Sequence, residues 1–212
     1  MKILFQGDSI TDASRDYDDP RDLGPGYPHY ASAMLMDSFP GVPFEFINRG
    51  IGGNRTENLL ARIEKDLIEL QPDLVSILIG INDVWHRYYD PDNPVNTTDE
   101  QIEANYREIL EKVRKETSAK ILLIEPYLLY APDKDHMQED VRRLQAIVKR
   151  LADEYADAYL PMAKLFEEKI ASPSDSLAFS QDGVHLTADG ACYLGECYLH
   201  AITPLIPQDE QE

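Results

Sequence analysis

This sequence is poor in cysteine and in positive charge, and it has no long apolar run. Only two of its 212 residues are cysteines. Cys192 and Cys197 fall in one predicted helix, on different faces that a disulfide does not easily bridge. They read as two reduced core thiols rather than a metal or redox pair. Basic residues number 20 against 39 acidic ones, for a net charge of −19. Such a field repels nucleic-acid phosphates and anionic lipid surfaces, so neither nucleic acid nor membrane is expected as a partner. No stretch approaches the apolar length that spans a bilayer. The N-terminus, Met1-Lys2-Ile3-Leu4-Phe5-Gln6-Gly7, turns polar too early for a signal-peptide core, and a cytoplasmic protein is expected. No His-Glu-x-x-His or clustered Cys/His spacing occurs, so no metal and no other cofactor is expected.

What remains is an ordinary globular composition, 43% hydrophobic and 28% charged, in a chain long enough for one domain with a sizeable core. No repeat or linker divides residues 1–212. Ile3-Leu4-Phe5 reads as a first strand, followed by Gln6-Gly7-Asp8-Ser9-Ile10-Thr11-Asp12. Residues Ser14 to Tyr27 form an acidic loop. Its aspartates Asp16, Asp18, Asp19 and Asp22 lack the central Gly and final Glu of a calcium loop. A helix from Tyr30 to Phe39 follows, with Met34 and Leu35 inward, then a strand at Phe44-Glu45-Phe46-Ile47.

Asn48-Arg49-Gly50-Ile51-Gly52-Gly53-Asn54-Arg55 marks a tight turn able to expose backbone N–H groups. It lacks the G-x-G-x-x-G spacing of a dinucleotide turn. Thr56 is a candidate cap for a helix carrying Leu59, Leu60, Ile63, Leu67 and Leu70, which stops at Gln71-Pro72. Leu74 to Ile79 is almost continuously apolar, as a central parallel strand buried on both faces should be. It leads into Gly80-Ile81-Asn82-Asp83. The Pro- and Asp-rich stretch from Tyr88 to Asn96 reads as a loop. Thr98 and Gln101 form a capping box for a helix faced by Ile102, Tyr106, Ile109, Leu110 and Val113. A buried strand at Ile121–Ile124, an amphipathic helix from Val141 to Tyr155, a short strand at Ala158–Leu160 and a helix from Met162 to Ile170 follow. The loop Ser180–His185 precedes a last helix, Thr187 to Ile202, and Gln208 to Glu212 reads as a frayed tail. Strands alternate with helices throughout, which predicts an α/β fold: a three-layer α/β/α sandwich on a central parallel sheet.

Four stretches should therefore gather at one edge of that sheet. They carry the hydroxyl of Ser9, the glycines Gly50, Gly52 and Gly53, the amide of Asn82, and the pair Asp182 and His185. Acyl transfer needs these parts. A serine hydroxyl is a poor nucleophile until a base takes its proton. An imidazole is such a base, and a carboxylate orients it and stabilises its charged form. A backbone N–H at Gly53 and the amide of Asn82 suit a developing oxyanion. Each residue also has a plainer reading: a turn serine, a capping aspartate, a surface histidine, a glycine present for its positive φ. Their joint occurrence favours catalysis.

At these residues the sequence resembles the SGNH (GDSL) hydrolase family, over nearly its whole length. Gly7-Asp8-Ser9-Ile10-Thr11 is similar to the first block, Gly50-Ile51-Gly52-Gly53-Asn54 to the second, Gly80-Ile81-Asn82-Asp83 to the third and Asp182-Gly183-Val184-His185 to the last. The resemblance implies a flavodoxin-like three-layer sandwich, Ser9 as nucleophile with His185 and Asp182 completing a triad, and Ser9, Gly53 and Asn82 as oxyanion donors. The second block departs from the pattern, with Gly-Gly-Asn where many members have Ser-Gly-Asp. Within the family, Gly24-Pro25-Gly26-Tyr27 and Ile79 to Trp85 resemble small intracellular carbohydrate acetylesterases, including acetylxylan esterases.

The expected substrate is accordingly a small acyl ester, such as an acetylated oligosaccharide. Trp85, Arg55 and Asp8 are candidate substrate-contacting residues. Trp85 is also a plausible packing residue, Arg55 a partner for nearby carboxylates, and Asp8 a turn-stabilising acceptor rather than a proton carrier. A lysophospholipase or thioesterase, and a non-catalytic carbohydrate-binding protein on the same scaffold, are the competing readings. Assembly into a homo-oligomer is left open.

Overall fold

A computed structural model of the chain describes residues 1–89, 97–172 and 175–207. Five strands form one parallel sheet: β1 (Lys2–Gly7), β2 (Glu45–Asn48), β3 (Leu74–Leu78), β4 (Lys120–Ile124) and β5 (Ala158–Leu160), in the order β2-β1-β3-β4-β5. Leu4 stands beside Ile47 on one side and Val75 on the other. Every residue of β3 is buried, the outcome its unbroken apolar run requires.

The helices are α1 (Ser9–Asp12), α2 (Tyr27–Ser38), α3 (Thr56–Ile63), α4 (Ile81–Tyr89), α5 (Asp99–Glu116), α6 (Gln138–Tyr155), α7 (Met162–Lys169), α8 (Ser176–Phe179) and α9 (Ala188–Ile202). Phe5 and Gln6, neighbours on β1, point to opposite faces. Phe5 packs on Tyr27 of α2 and Tyr198 of α9. The Gln6 amide donates to the Asp66 carbonyl, in the π-helical turn Glu64–Ile68 that extends α3. Helices α2 and α9 thus cover one face, and α3, packed on α5, covers the other. The result is the three-layer sandwich expected from the alternation of elements.

Several local expectations change. The first long helix starts at Tyr27, with Gly26 before it and Pro28 in its first turn, a position that tolerates the missing N–H. Arg55, not Thr56, precedes α3 as its cap residue; the Thr56 hydroxyl donates instead to Asp83. Tyr88 and Tyr89 belong to the end of α4 rather than to a loop. The rest of that expected loop, from Asp90 to Asn96, and the tail Gln208 to Glu212 lie outside the described residues. Cys192 and Cys197 are unbridged and only partly buried; Cys197 packs against the core and Cys192 does not. The capping box of α5 forms, with the Thr98 N–H on Gln101 Oε1 and the Gln101 N–H on Thr98 Oγ1. Among the described residues no helix is long and apolar enough to cross a membrane.

Candidate active site

A 2-1-3-4-5 parallel sheet reverses direction between β1 and β3, and ligands in such folds bind beyond the strand ends at that point. Ser9 follows β1 there, and Asn82 follows β3. Asp8 sits between the end of β1 and α1, and its Oδ1 accepts the Ile10 N–H at 3.0 Å, starting the one-turn helix that carries Ser9.

Ser9 Oγ lies 2.8 Å from His185 Nε2, and His185 Nδ1 lies 2.7 Å from Asp182 Oδ2. The remaining oxygen of Asp182 accepts the N–H groups of Val184 and His185. Burial raises the Asp182 carboxyl, but the His185 hydrogen bond and these two backbone donors outweigh it and hold the group well below the usual carboxylate range. The same hydrogen bond raises His185 above the ordinary imidazole value, against partial burial. A hydroxyl, an imidazole and a carboxylate in this order can pass a proton from oxygen to nitrogen and stabilise the resulting cation.

The loop holding the pair is pinned from beneath. The Tyr127 hydroxyl donates to the Val184 carbonyl, and the Leu129 N–H to the Gly183 carbonyl. Gly183 has φ +86°, and a Cβ there would stand 2.8 Å from the Leu129 carbonyl oxygen, so glycine is required on both counts.

The oxyanion candidates lie on two linked elements. Gly53 has φ +76° in a turn closed by the Asn54 N–H on the Ile51 carbonyl. No acceptor among the described residues takes the Gly53 N–H. Asn82 gives one amide N–H to the Asn54 carbonyl at 3.0 Å, and a primary amide carries a second. Asp83, fully buried, accepts the N–H and the hydroxyl of Thr56 and so joins α4 to the start of α3. Burial pushes its carboxyl up to about 6.

A cavity of about 600 Å³ opens beside Ser9 and His185, lined also by Ala13, Ser14, Gly52 and Thr187. Neither Trp85 nor Arg55 is among its lining residues. Trp85 packs against Tyr89, with the Lys134 ammonium over its ring. The Arg55 guanidinium pairs with Glu57 and donates to Thr97, the plainer of its two expected uses. Asp8 is corrected outright as a substrate contact: it has no exposed surface, and its carboxylate serves the turn.

Sequence reasoning missed Asp12, Arg15, Asp83 and Lys134. Lys134 is buried near the site, where its charge opposes the rise of His185. Only Asp83 carried a local signal, as the residue following Asn82 in its block. Among the described residues no group of three or more His, Cys, Asp or Glu side chains is arranged to hold a metal ion.

Comparison with known proteins adds to this geometry. A model of the GDSL-like Lipase/Acylhydrolase family matches residues 5–191. An acetylxylan esterase from Geobacillus stearothermophilus is 31% identical over 206 residues, 95% of this chain and 93% of that protein. A solved variant of that organism's acetyl xylan esterase, Axe2, superposes with a TM-score of 0.86 at 31% identity, covering 98% of this chain and 97% of the other. Three further Axe2 structures are described as catalytic mutants, with a serine, a histidine or an aspartate replaced by alanine. A GDSL-like lipase from Parabacteroides merdae gives a TM-score of 0.88 at 30% identity over 95% of each chain.

Proposed function

Because this chain belongs to the GDSL-like lipase/acylhydrolase family and is a serine carboxylic-ester hydrolase, we propose that Ser9, His185 and Asp182 form its catalytic triad and that it removes acetyl groups from xylo-oligosaccharides or related sugars. The unbroken series of contacts from Ser9 Oγ through His185 to Asp182 carries this reading. The substrate class rests on the likeness to acetylxylan esterases.

In this mechanism neutral His185 Nε2 takes the Ser9 proton as Oγ attacks the ester carbonyl carbon. The oxyanion meets the Gly53 N–H, the Asn82 amide and the Ser9 N–H. Collapse breaks the bond to the sugar oxygen, which leaves with the proton held on His185. Water then attacks the acyl-enzyme with His185 again as base, and acetate and free Ser9 result. The leaving alcohol must lie within reach of His185 Nε2. Both Ser9 and His185 face the 600 Å³ cavity, so the sugar half belongs there. Ser14 offers a hydroxyl partner in it, beside the small apolar walls of Ala13 and Ala191; the Thr187 hydroxyl is held in the cap of α9.

Two measurements test this. A serine-directed sulfonyl fluoride should leave one adduct, on the peptide containing Ser9; labelling elsewhere with Ser9 untouched would overturn the nucleophile. Across aryl esters, kcat/KM should fall steeply from acetyl to butyryl and be negligible for octanoyl. Preference for octanoyl would replace the sugar-acetylesterase reading with a lipid or thioester one and leave the serine mechanism in place.

A further inference from the structure

The turn that carries the Gly53 N–H has little of its own to hold it. Its central residues, Gly52 and Gly53, have no side chains, and a Cβ built on Gly53 would meet no other group within 4 Å. The closing hydrogen bond from Asn54 to Ile51 and the φ of +76° at Gly53 fit a type II turn. Types I and II differ by a flip of the central peptide, here the peptide that bears the Gly53 N–H. Two glycines permit either form, so packing does not select the one in which that N–H serves an oxyanion.

The turn as a whole is placed by contacts from the segment following the nucleophile. Asp12, the last residue of α1, places Oδ2 2.9 Å from the Gly52 nitrogen. The Tyr17 hydroxyl donates to the same oxygen at 2.6 Å. Arg15 donates through Nε and Nη2 to the Gly50 carbonyl, each at 3.3 Å, and faces Asp12 Oδ1 at 3.9 Å. Both charged side chains are nine-tenths buried or more. One buried ion pair therefore grips the glycine turn at two backbone points, the carbonyl of Gly50 and the N–H of Gly52. Ser9, on the same single turn of helix as Asp12, is fixed relative to the oxyanion donor by the same contacts.

We propose that Asp12 is a positioning residue for the oxyanion hole: its carboxylate, braced by Arg15 and Tyr17, holds the Ile51–Gly52 peptide that leads into Gly53 and so fixes where the turn presents the Gly53 N–H relative to Ser9. This rests on the reading of Gly53 as an oxyanion donor. Asp12 touches no reacting atom and moves no proton. Its effect passes through the backbone, so it should act on the transition state and not on ground-state binding of the ester.

The test compares Asp12→Ala, Asp12→Asn and Asn82→Ala with the parent enzyme on an aryl acetate. Loss of one oxyanion donor typically costs ~10²–10³ in kcat. Asp12→Ala should approach that loss with KM changed less than about threefold, the signature of an interaction made in the transition state. Asp12→Asn keeps an oxygen acceptor for the Gly52 N–H and should recover to within about tenfold of the parent, which a requirement for the carboxylate charge in folding would not allow. Asp12→Ser, which also removes the carboxylate, replaces the alanine variant if that chain does not fold. Retention of kcat in Asp12→Ala, a loss confined to KM, or equal loss in the Asn and Ala variants would overturn the proposal. If Asn82→Ala also keeps its kcat, the oxyanion reading itself fails; if only Asn82→Ala is impaired, the failure belongs to Asp12 alone.

Discussion

Ser9 Oγ and His185 Nε2 stand 2.8 Å apart across 176 positions of sequence. The contact depends on two short, strained or capped segments: the helix turn that Asp8 starts, and the loop whose Asp182 carboxylate gathers Val184, His185 and the imidazole itself. Neither segment is a long element, and each is held by the layer beneath it.

The first prediction concerns pH. Only neutral His185 can accept the Ser9 proton. The hydrogen bond that His185 Nδ1 donates to Asp182 raises the imidazole above its ordinary value of 6.5, with burial opposing. The charged, inactive form therefore persists to higher pH than in a free histidine. The acid limb of kcat/KM should lie above 6.5, with activity falling as pH drops through it and level above. Asp182→Asn removes the largest cause of the rise, so the limb should move to lower pH while kcat falls. A limb that stays in place in Asp182→Asn, measured over the full profile, would assign it to another group.

A second prediction addresses the loop. Gly183 lies between Asp182 and His185 with φ +86°, and a Cβ would press on the Leu129 carbonyl at 2.8 Å. A non-glycine residue held in such a conformation costs on the order of 1–3 kcal/mol. Gly183→Ala should lower stability by about that amount and kcat by at least about tenfold, as a misplaced base would. Thermal unfolding and steady-state kinetics on the same preparation check both. An alanine variant with parental kcat would show that the loop tolerates the shift and that the backbone there does not set the triad.

Much of this was legible in the sequence because the signals are local. The apolar run from Leu74 to Ile79 dictated a strand buried on both faces, and Thr98 with Gln101 dictated a capped helix. The four short blocks carrying Ser9, Gly53, Asn82, Asp182 and His185 stand out because each follows a strand or opens a helix, and the structure brings Ser9, His185 and Asp182 into contact. Other features were not legible because they arise only in three dimensions. The Thr56 hydroxyl is claimed by Asp83, 27 positions on, which no local cap pattern reveals. Asp12 is an unremarked polar residue in a turn until Gly52, 40 positions away, folds onto it. Helix α4 was hidden for a different reason. Ile81, Val84, Trp85 and Tyr88 do stand at helical spacing, but this short stripe runs directly into a Pro- and Asp-rich stretch whose turn residues dominate the local reading.

The last prediction concerns Asp8, which the family pattern places next to the nucleophile and the structure places out of reach of water. Its Oδ1 accepts the Ile10 N–H, while its Oδ2 has no partner among the described residues. Burial pushes the carboxyl from 3.8 up to about 7, with the Ile10 hydrogen bond and the charge of His185 opposing and Asp83 adding to the rise. The folded value is thus above the unfolded one. Below 3.8 both states hold the proton and Asp8 contributes no pH dependence. Between 3.8 and about 7 the folded chain keeps a proton that the unfolded chain releases, so stability declines as pH rises. Above about 7 the folded carboxylate is charged and buried, and the loss is complete. At ~1.4 kcal/mol for each pKa unit, the full decline is on the order of 4 kcal/mol. Asparagine has nearly the same shape, keeps an acceptor for the Ile10 N–H and does not ionise. Asp8→Asn should therefore be more stable than the parent at about pH 8 and lose that advantage at about pH 4. Taking the difference between variant and parent cancels the other titrating groups, provided unfolding is followed for both chains at each pH. Parallel stability curves for the two chains would mean that Asp8 is ionised throughout and that its buried charge is compensated by a contact not yet identified.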